Sequence, residues 1–199
     1  MRLFVIHGTR AMAKGKLPLN DLAGGAGRMD VLIRALMSAL LTSHGLRDDT
    51  EVILLLDGES GPCRRIRFVG SELRGFHSEE RAVAGKIAAV IRNPIPPRGH
   101  WQEITPGIYD GNGDLKMTLE EITVPLIRLE ADAPRLWSEV AIPSQSIPFS
   151  GDIAFILGDD KTLNCSQGIP RSLGSTWLQG HSCITLCHFL LDEGVELQL

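Results

Sequence analysis

The chain has 199 residues, 43% of them hydrophobic and 22% charged, with a formal net charge of −4. This size and balance suit one α/β domain over residues 1–199, and four scattered cysteines without a C-x-x-C pair argue for a reducing cytoplasm rather than a secreted disulfide framework. The longest apolar stretch, Val31–Leu41, contains Arg34 and is too short to span a bilayer, and Met1–Ile6 is too short for a signal peptide.

Charge is unevenly placed. Residues 1–100 carry 15 Lys/Arg against 10 Asp/Glu, and the remainder carries 5 against 14. A basic first half suits phosphates and an acidic second half suits a small cation, unless the contrast is only the scatter found in any soluble protein.

Arg2–Ile6 reads as a buried first strand. It runs into His7-Gly-Thr-Arg10 and not into a glycine-rich turn, which argues against a Rossmann dehydrogenase or a Rossmann-type methyltransferase. Leu17–Gly27 is a loop feeding a helix on which Leu32, Leu36, Ala39 and Leu40 share a face, with Gly45 as a natural stop. Its glycines either present a helix N-terminus to an anion or only permit a tight turn. Glu51–Leu56 is a second buried strand. Cys63–Val69 alternates apolar and basic residues and reads as an edge strand, where Arg64, Arg65 and Arg67 either block edge pairing or meet phosphates.

A helix capped by Ser78 carries Val83, Ile87, Val90 and Ile91 and stops at Asn93-Pro94, before the rigid connector at 94–99. Asp110–Asp114 mimics calcium-loop spacing, but Leu115 stands where that loop needs glycine, so Asn112-Gly113 reads as a hairpin turn. Thr118 and Glu121 resemble a capping box opening a short helix. Val124–Leu129 is a third core strand with Pro125 at its start, and a short helix is expected over Pro134–Val140.

Ile153–Leu157 is a fourth buried strand, ending at Gly158-Asp159-Asp160. The following segment is rich in Gly and Ser and too irregular for a regular element. A last helix then carries Ile184, Leu186, Cys187, Leu190 and Leu191. The pattern predicts a mostly parallel sheet with helices on both faces, and a loop at a strand's carboxyl end, where α/β proteins bind ligands. His181, Cys183, Cys187 and His188 lack the spacing of a structural zinc site, and no metal is expected.

The segments LGDD (157–160), SLGSTWL (172–178) and HSCIT (181–185) resemble the C-terminal motifs of the SPOUT methyltransferases. LPLNDLAGGAGRMDVL (17–32) and IRFVGSELRGFHSEER (66–81) are similar to the archaeal tRNA pseudouridine-54 N1-methyltransferase family. The resemblance covers most of the chain, with a weak middle from Asn93 to Leu126.

It implies a C-terminal trefoil knot, a homodimer with shared active sites, S-adenosylmethionine as cofactor, and tRNA or another structured RNA as substrate. It places the cofactor among Leu129, Gly158, Leu173, Gly174, Ser175, Thr176 and Cys183, with glycine at 158 allowing a close backbone approach. Asp21 and Asp30 become candidates to take the N1 proton or orient the base, with ordinary structural roles as the rival reading. Arg10 and Arg28 would hold phosphate or base, joined by Arg64 and Arg67 on the RNA surface. Two positions depart from the family pattern: Asp160-Lys161-Thr162-Leu163 stands where a histidine and a glycine–aromatic pair are expected, and Ser175 where proline is expected. The alternative is therefore a non-catalytic module that binds RNA or nucleotide on the same fold.

Overall fold

The computed structural model describes residues 1–58, 61–137 and 147–199. In chain order the elements are β1 (Arg2–Gly8), α1 (Met29–Leu40), β2 (Thr50–Leu56), β3 (Arg64–Val69), α2 (Glu80–Ile91) and β4 (Trp101–Thr105). β5 (Ile108–Asn112), α3 (Leu115–Glu120), β6 (Leu126–Leu129), β7 (Ile153–Gly158), β8 (Ile169–Arg171) and α4 (Gly180–Asp192) follow. The strands form one sheet in the order β4-β5-β3-β2-β1-β7-β6-β8.

The sheet is mixed. β1 pairs in parallel with β2 and β7, and β6 with β7 and β8, whereas β3 is antiparallel to β2 and β5, and β4 to β5. The parallel half explains the unbroken apolar runs: Phe4, Val5 and Ile6 are fully buried because neither face of β1 meets water. One face presents Phe4, Ile6, Leu54 and Phe155 to α1, α2 and α4. The Phe4 and Phe155 rings stack with centroids 5.3 Å apart. The other face presents Leu3, Val5, Ile53 and Ile156 to Leu119 of α3 and to Ile122, Val124 and Leu163. Helices thus lie on both faces, but the three long ones share one.

Several expected elements are placed differently. β3 is interior, because β5 and then β4 cover it. Asn112-Gly113 makes no hairpin; the β4–β5 turn falls at Pro106-Gly107, where Gly107 takes φ 76. α3 starts at Leu115, not Thr118, because the Asp114 carboxylate accepts from Met117 N at 2.9 Å as its cap. That use of Asp114, and the pairing of Asp110 with Arg64, occupy the carboxylates of the calcium-like run. The strand expected from Val124 begins at Leu126. Arg135 and Trp137 make isolated β-bridges where a helix was expected to begin; residues 138–140 of that expectation lie outside the described residues. The segment read as irregular contains β8, which pairs with β6.

A polar network ties the end of α4 to the start of the chain. His188 is buried, and Arg2 Nη1 donates to its Nδ1 at 3.0 Å, so its Nε2–H donates to Ala39 O at 3.0 Å. Arg2 also meets Asp192 at 2.6 Å, and Asp192 is held by Arg47 at 2.7 Å. Burial, and then the charges of Arg47 and Arg2, push the His188 pKa down to about 4. Because the folded value lies below the unfolded one, the contribution is fully present above about pH 6.5 and is lost as pH falls towards 4. The full swing is roughly 3 kcal/mol. Urea unfolding between pH 7.5 and 4.5 should show this loss, and His188→Gln should flatten it; an unchanged slope in the variant would remove His188 as its source.

Candidate functional site

The carboxyl ends of β1, β7 and β6 lie side by side. From β1 the chain turns towards β2, while β7 lies on the other side of β1, so the loops after β1 and β7 diverge at a topological switch point. Both loops are held there by one another. Asp159 Oδ2 accepts Thr9 N and Thr9 Oγ1, each at 2.8 Å, and Asp159 Oδ1 accepts Lys161 N at 2.9 Å.

Beside this junction is a cavity of about 340 Å³. Leu129, Gly158, Leu173, Gly174, Thr176 and Cys183 line it, together with the acidic Glu130, Asp132 and Asp159 and the exposed Trp177. Ser175 is not among the lining residues. A side chain at Gly158 would put Cβ 2.7 Å from the Lys161 carbonyl, so the close backbone approach this glycine permits is made by the protein's own returning loop. Gly174 takes φ 128 with open space around its missing Cβ, which leaves the opposite wall uncrowded. Burial pushes the Cys183 thiol pKa up, which makes it an apolar wall and a poor nucleophile.

A charged cluster occupies the other side of the junction. Arg28, at the N-cap of α1, is the one described non-glycine residue with positive φ, at 65°. Its Nε donates to Asp30 at 3.0 Å and its Nη1 to Asp160 at 2.8 Å, and Arg10 Nη2 donates to the other Asp160 oxygen. Arg34 also binds Asp30, at 2.5 Å. Burial opposes ionisation of Asp30, but the hydrogen bonds from Arg28 and Arg34 outweigh it and hold its pKa below the usual carboxylate value. Asp21 accepts from Gly24 N at 2.9 Å and Gly25 N at 2.7 Å, which folds the glycine-rich loop onto its own carboxylate.

Arg64 and Arg67 lie elsewhere. Arg64 is fully buried, bonded to both Asp110 oxygens at 2.8 and 2.6 Å and to the carbonyls of Ala13 and Asn93 at 3.1 and 2.9 Å. It presents no charge to an RNA phosphate, and the edge-guarding alternative falls with it. Arg65 is equally buried, held by both Glu121 oxygens at 2.8 Å and lying 4.4 Å over the Trp101 ring. Arg67 is partly exposed and pairs with Glu51 at 2.7 Å in a separate 170 Å³ cleft. Sequence reading missed Asp159 and Asp160 as the link between the cavity and the arginines. Two adjacent carboxylates after a buried strand were the available signal.

Three comparisons bear on this geometry. The solved structure of Archaeoglobus fulgidus Nep1 bound to S-adenosylhomocysteine superposes with a TM-score of 0.61 over 96% of this chain and 98% of that one, at 13% identity, a likeness of fold. A family described as "Putative SAM-dependent RNA methyltransferase" matches residues 1–195. Fold and sequence pattern together define an α/β methyltransferase that depends on S-adenosylmethionine. The tRNA (pseudouridine(54)-N(1))-methyltransferase of Methanosarcina mazei is 36% identical over 97% of this chain and 92% of its own length, and that of Halobacterium salinarum 31% identical over 96% of each. The chain belongs to the archaeal tRNA pseudouridine-54 N1-methyltransferase family.

The loop after β1 is locked by glycines. A Cβ on Gly27 would lie 1.7 Å from the Arg10 carbonyl oxygen, and one on Gly58 2.1 Å from it. Gly27 also takes φ 66. Gly27→Ala is expected to cost about 2 kcal/mol or more in thermal or denaturant unfolding. Gly45→Ala, where nothing lies within 4 Å, should shift stability by under about 1 kcal/mol. Equal stabilities for the two variants would show that the contact yields without cost.

Proposed function

We infer that the protein methylates N1 of pseudouridine-54 in tRNA, with S-adenosylmethionine bound in the 340 Å³ cavity at the carboxyl ends of β6 and β7. The supporting observation is that this cavity joins, through Asp159-Asp160, the loop that carries Arg10 and Arg28. The residues present suit the cofactor. Leu129, Leu157 and Leu173 give apolar walls that exclude water, and Glu130, Asp132 and Asp159 supply negative charge that favours a cation. When bound, the cofactor supplies an electrophilic methyl group on its sulfonium.

N1 must pass its proton to solvent water as the methyl arrives in line. Asp30 is committed to two arginines and is a weak base, and Asp21 is committed to Gly24 and Gly25. Both therefore serve by fixing Arg28 and its loop, and rate gain comes chiefly from positioning. Arg10 and Arg28 face the RNA, and the exposed residues near them extend that surface.

The C-terminal trefoil knot is part of the same reading. The loop between β6 and β7 bonds to Ser172 before α4 and to Leu191 and Gln198 at and beyond its end, as expected if α4 passes through it. A crystal structure tracing that loop on one side of α4 only would overturn the threading.

The homodimer also belongs here, supported by Leu186 and Phe189, which leave α4 on its solvent side at 36% and 45% exposure. Sedimentation is expected to give twice the 21.7 kDa chain mass, and Phe189→Asp to return it to one. A wild-type chain that stays single at micromolar concentration counts against the dimer.

The decisive assay is mass mapping of the modified nucleoside in tRNA carrying pseudouridine-54, treated with protein and S-adenosylmethionine. No methyl gain at that nucleotide would sink the assignment. Cys183→Phe projects a ring into the cavity from the first turn of α4 and is expected to weaken cofactor binding at least ~10-fold, with the melting temperature held. Undiminished affinity in a folded Cys183→Phe protein would move the cofactor to another site.

A further inference from the structure

We propose that Arg10 and Arg28 form a ready-made site for one phosphodiester of the substrate RNA, and that Asp160 fills this site in the free protein as an internal stand-in. The inference rests on the tRNA methyltransferase reading above and adds to it a named phosphate contact and a competitor for it.

The geometry is that of a bound oxyanion. One guanidinium meets each oxygen of the Asp160 carboxylate, Arg10 on Oδ1 and Arg28 on Oδ2, as two arginines would meet two oxygens of a phosphate. The backbones of both arginines, and the Arg28 guanidinium, are held by contacts other than Asp160. The Arg10 backbone is fixed between Gly27 and Gly58, and Arg28 is held by the left-handed backbone before α1 and by Asp30. When the carboxylate leaves, the Arg28 guanidinium therefore stays with Asp30, and Arg10 remains anchored through its backbone with its guanidinium released for another oxyanion.

The carboxylate is also able to leave. The side chains of Asp160, Arg10 and Arg28 are 34%, 41% and 32% exposed, so water can take over their bonds. The buried Arg64–Asp110 pair, at 0% and 1%, has no such exchange open to it. Asp159 next door is stapled to Thr9 and Lys161, so the loop can stay in place while only the Asp160 side chain rotates. Asp159 and Lys161 line the cofactor cavity and Asp160 does not, so a phosphate at the two arginines sits beside that cavity without entering it.

The test is a double-mutant cycle on full-length protein, reading the dissociation constant of an unmodified tRNA transcript at two salt concentrations. Asp160→Asn should tighten binding roughly three- to tenfold at low salt by removing the competing charge. Asp160→Ser should act in the same direction, which guards against an effect of the amide itself. Arg10→Ala with Arg28→Ala should weaken binding and lower the salt slope by about one. In that background Asp160→Asn should do nothing. The proposal is overturned if Asp160→Asn weakens binding or leaves it unchanged, or if its gain survives undiminished without the arginines, which would mark a general charge effect.

Inorganic phosphate, followed by phosphorus NMR line broadening, separates the two layers of inference. Tighter phosphate binding by Asp160→Asn, in a protein whose wild type leaves tRNA unmethylated, keeps the anion site and sinks the substrate assignment. No gain for phosphate or for tRNA, in a protein that does methylate tRNA, sinks the anion site alone.

Discussion

The Arg10 carbonyl is where three remote pieces of backbone touch, and the working half of the molecule is arranged around that contact. Gly27, Gly58 and Arg10 approach more closely than any side chain would permit. The hydrogen bonds Met12 N to Ala26 O and Gly58 N to Ala11 O close the same junction. Loss of chain entropy at a glycine opposes folding, but it is offset here by bringing the ends of β1 and β2 and the start of α1 into one corner. From that corner Thr9 reaches Asp159 and Arg10 reaches Asp160. The strand-end cavity and the arginines are thus held in mutual register by backbone packing, and the charges decorate a frame that already exists.

How legible this was depended on whether a residue's partner could be guessed from its neighbours. β1, β2 and β7 announced themselves, because strands covered on both faces must be apolar throughout. α1, α2 and α4 carried helical spacing of apolar residues. β5 did not read as a strand, since IYDGN contains residues that strands avoid. Asp110 is there because Arg64 answers it, and Gly111 because the Trp101 ring lies where its Cβ would be, 2.7 Å away. β8 has three residues with a proline at its centre, and only its place beside β6 makes it a strand. Likewise the basic alternation in β3 looked like a solvent edge because its counter-charges, Asp110 and Glu121, come more than forty residues later. At the candidate site, six of the seven residues expected around the cofactor line a single cavity, because motifs at strand ends carry their location with them. Of the two partners of Arg28, Asp30 lies two residues away, but Asp160 was invisible, since nothing local ties residue 28 to residue 160.

The same long-range pairing reinterprets the uneven charge of the sequence. Arg2 and Arg47 meet Asp192, Arg10 and Arg28 meet Asp160, Arg64 meets Asp110, Arg65 meets Glu121 and Arg98 meets Asp114. Seven arginines of the basic half are answered by carboxylates of the acidic half. A surplus that looked like a nucleic-acid footprint is in large part the positive side of the fold's own ion pairs, and only its exposed members remain available to a polyanion.

Those pairs also have an order in time. Synthesis runs from the N-terminus, so the first hundred residues are made, with their excess of arginine, before Asp110, Asp160 and Asp192 are added. Arg28 and Arg67 have Asp30 and Glu51 at hand within that half, but Arg10 and Arg47 wait for Asp160 and Asp192, which lie in the last forty residues. The corner around Arg10 is thus among the last parts of the fold to gain its counter-charge.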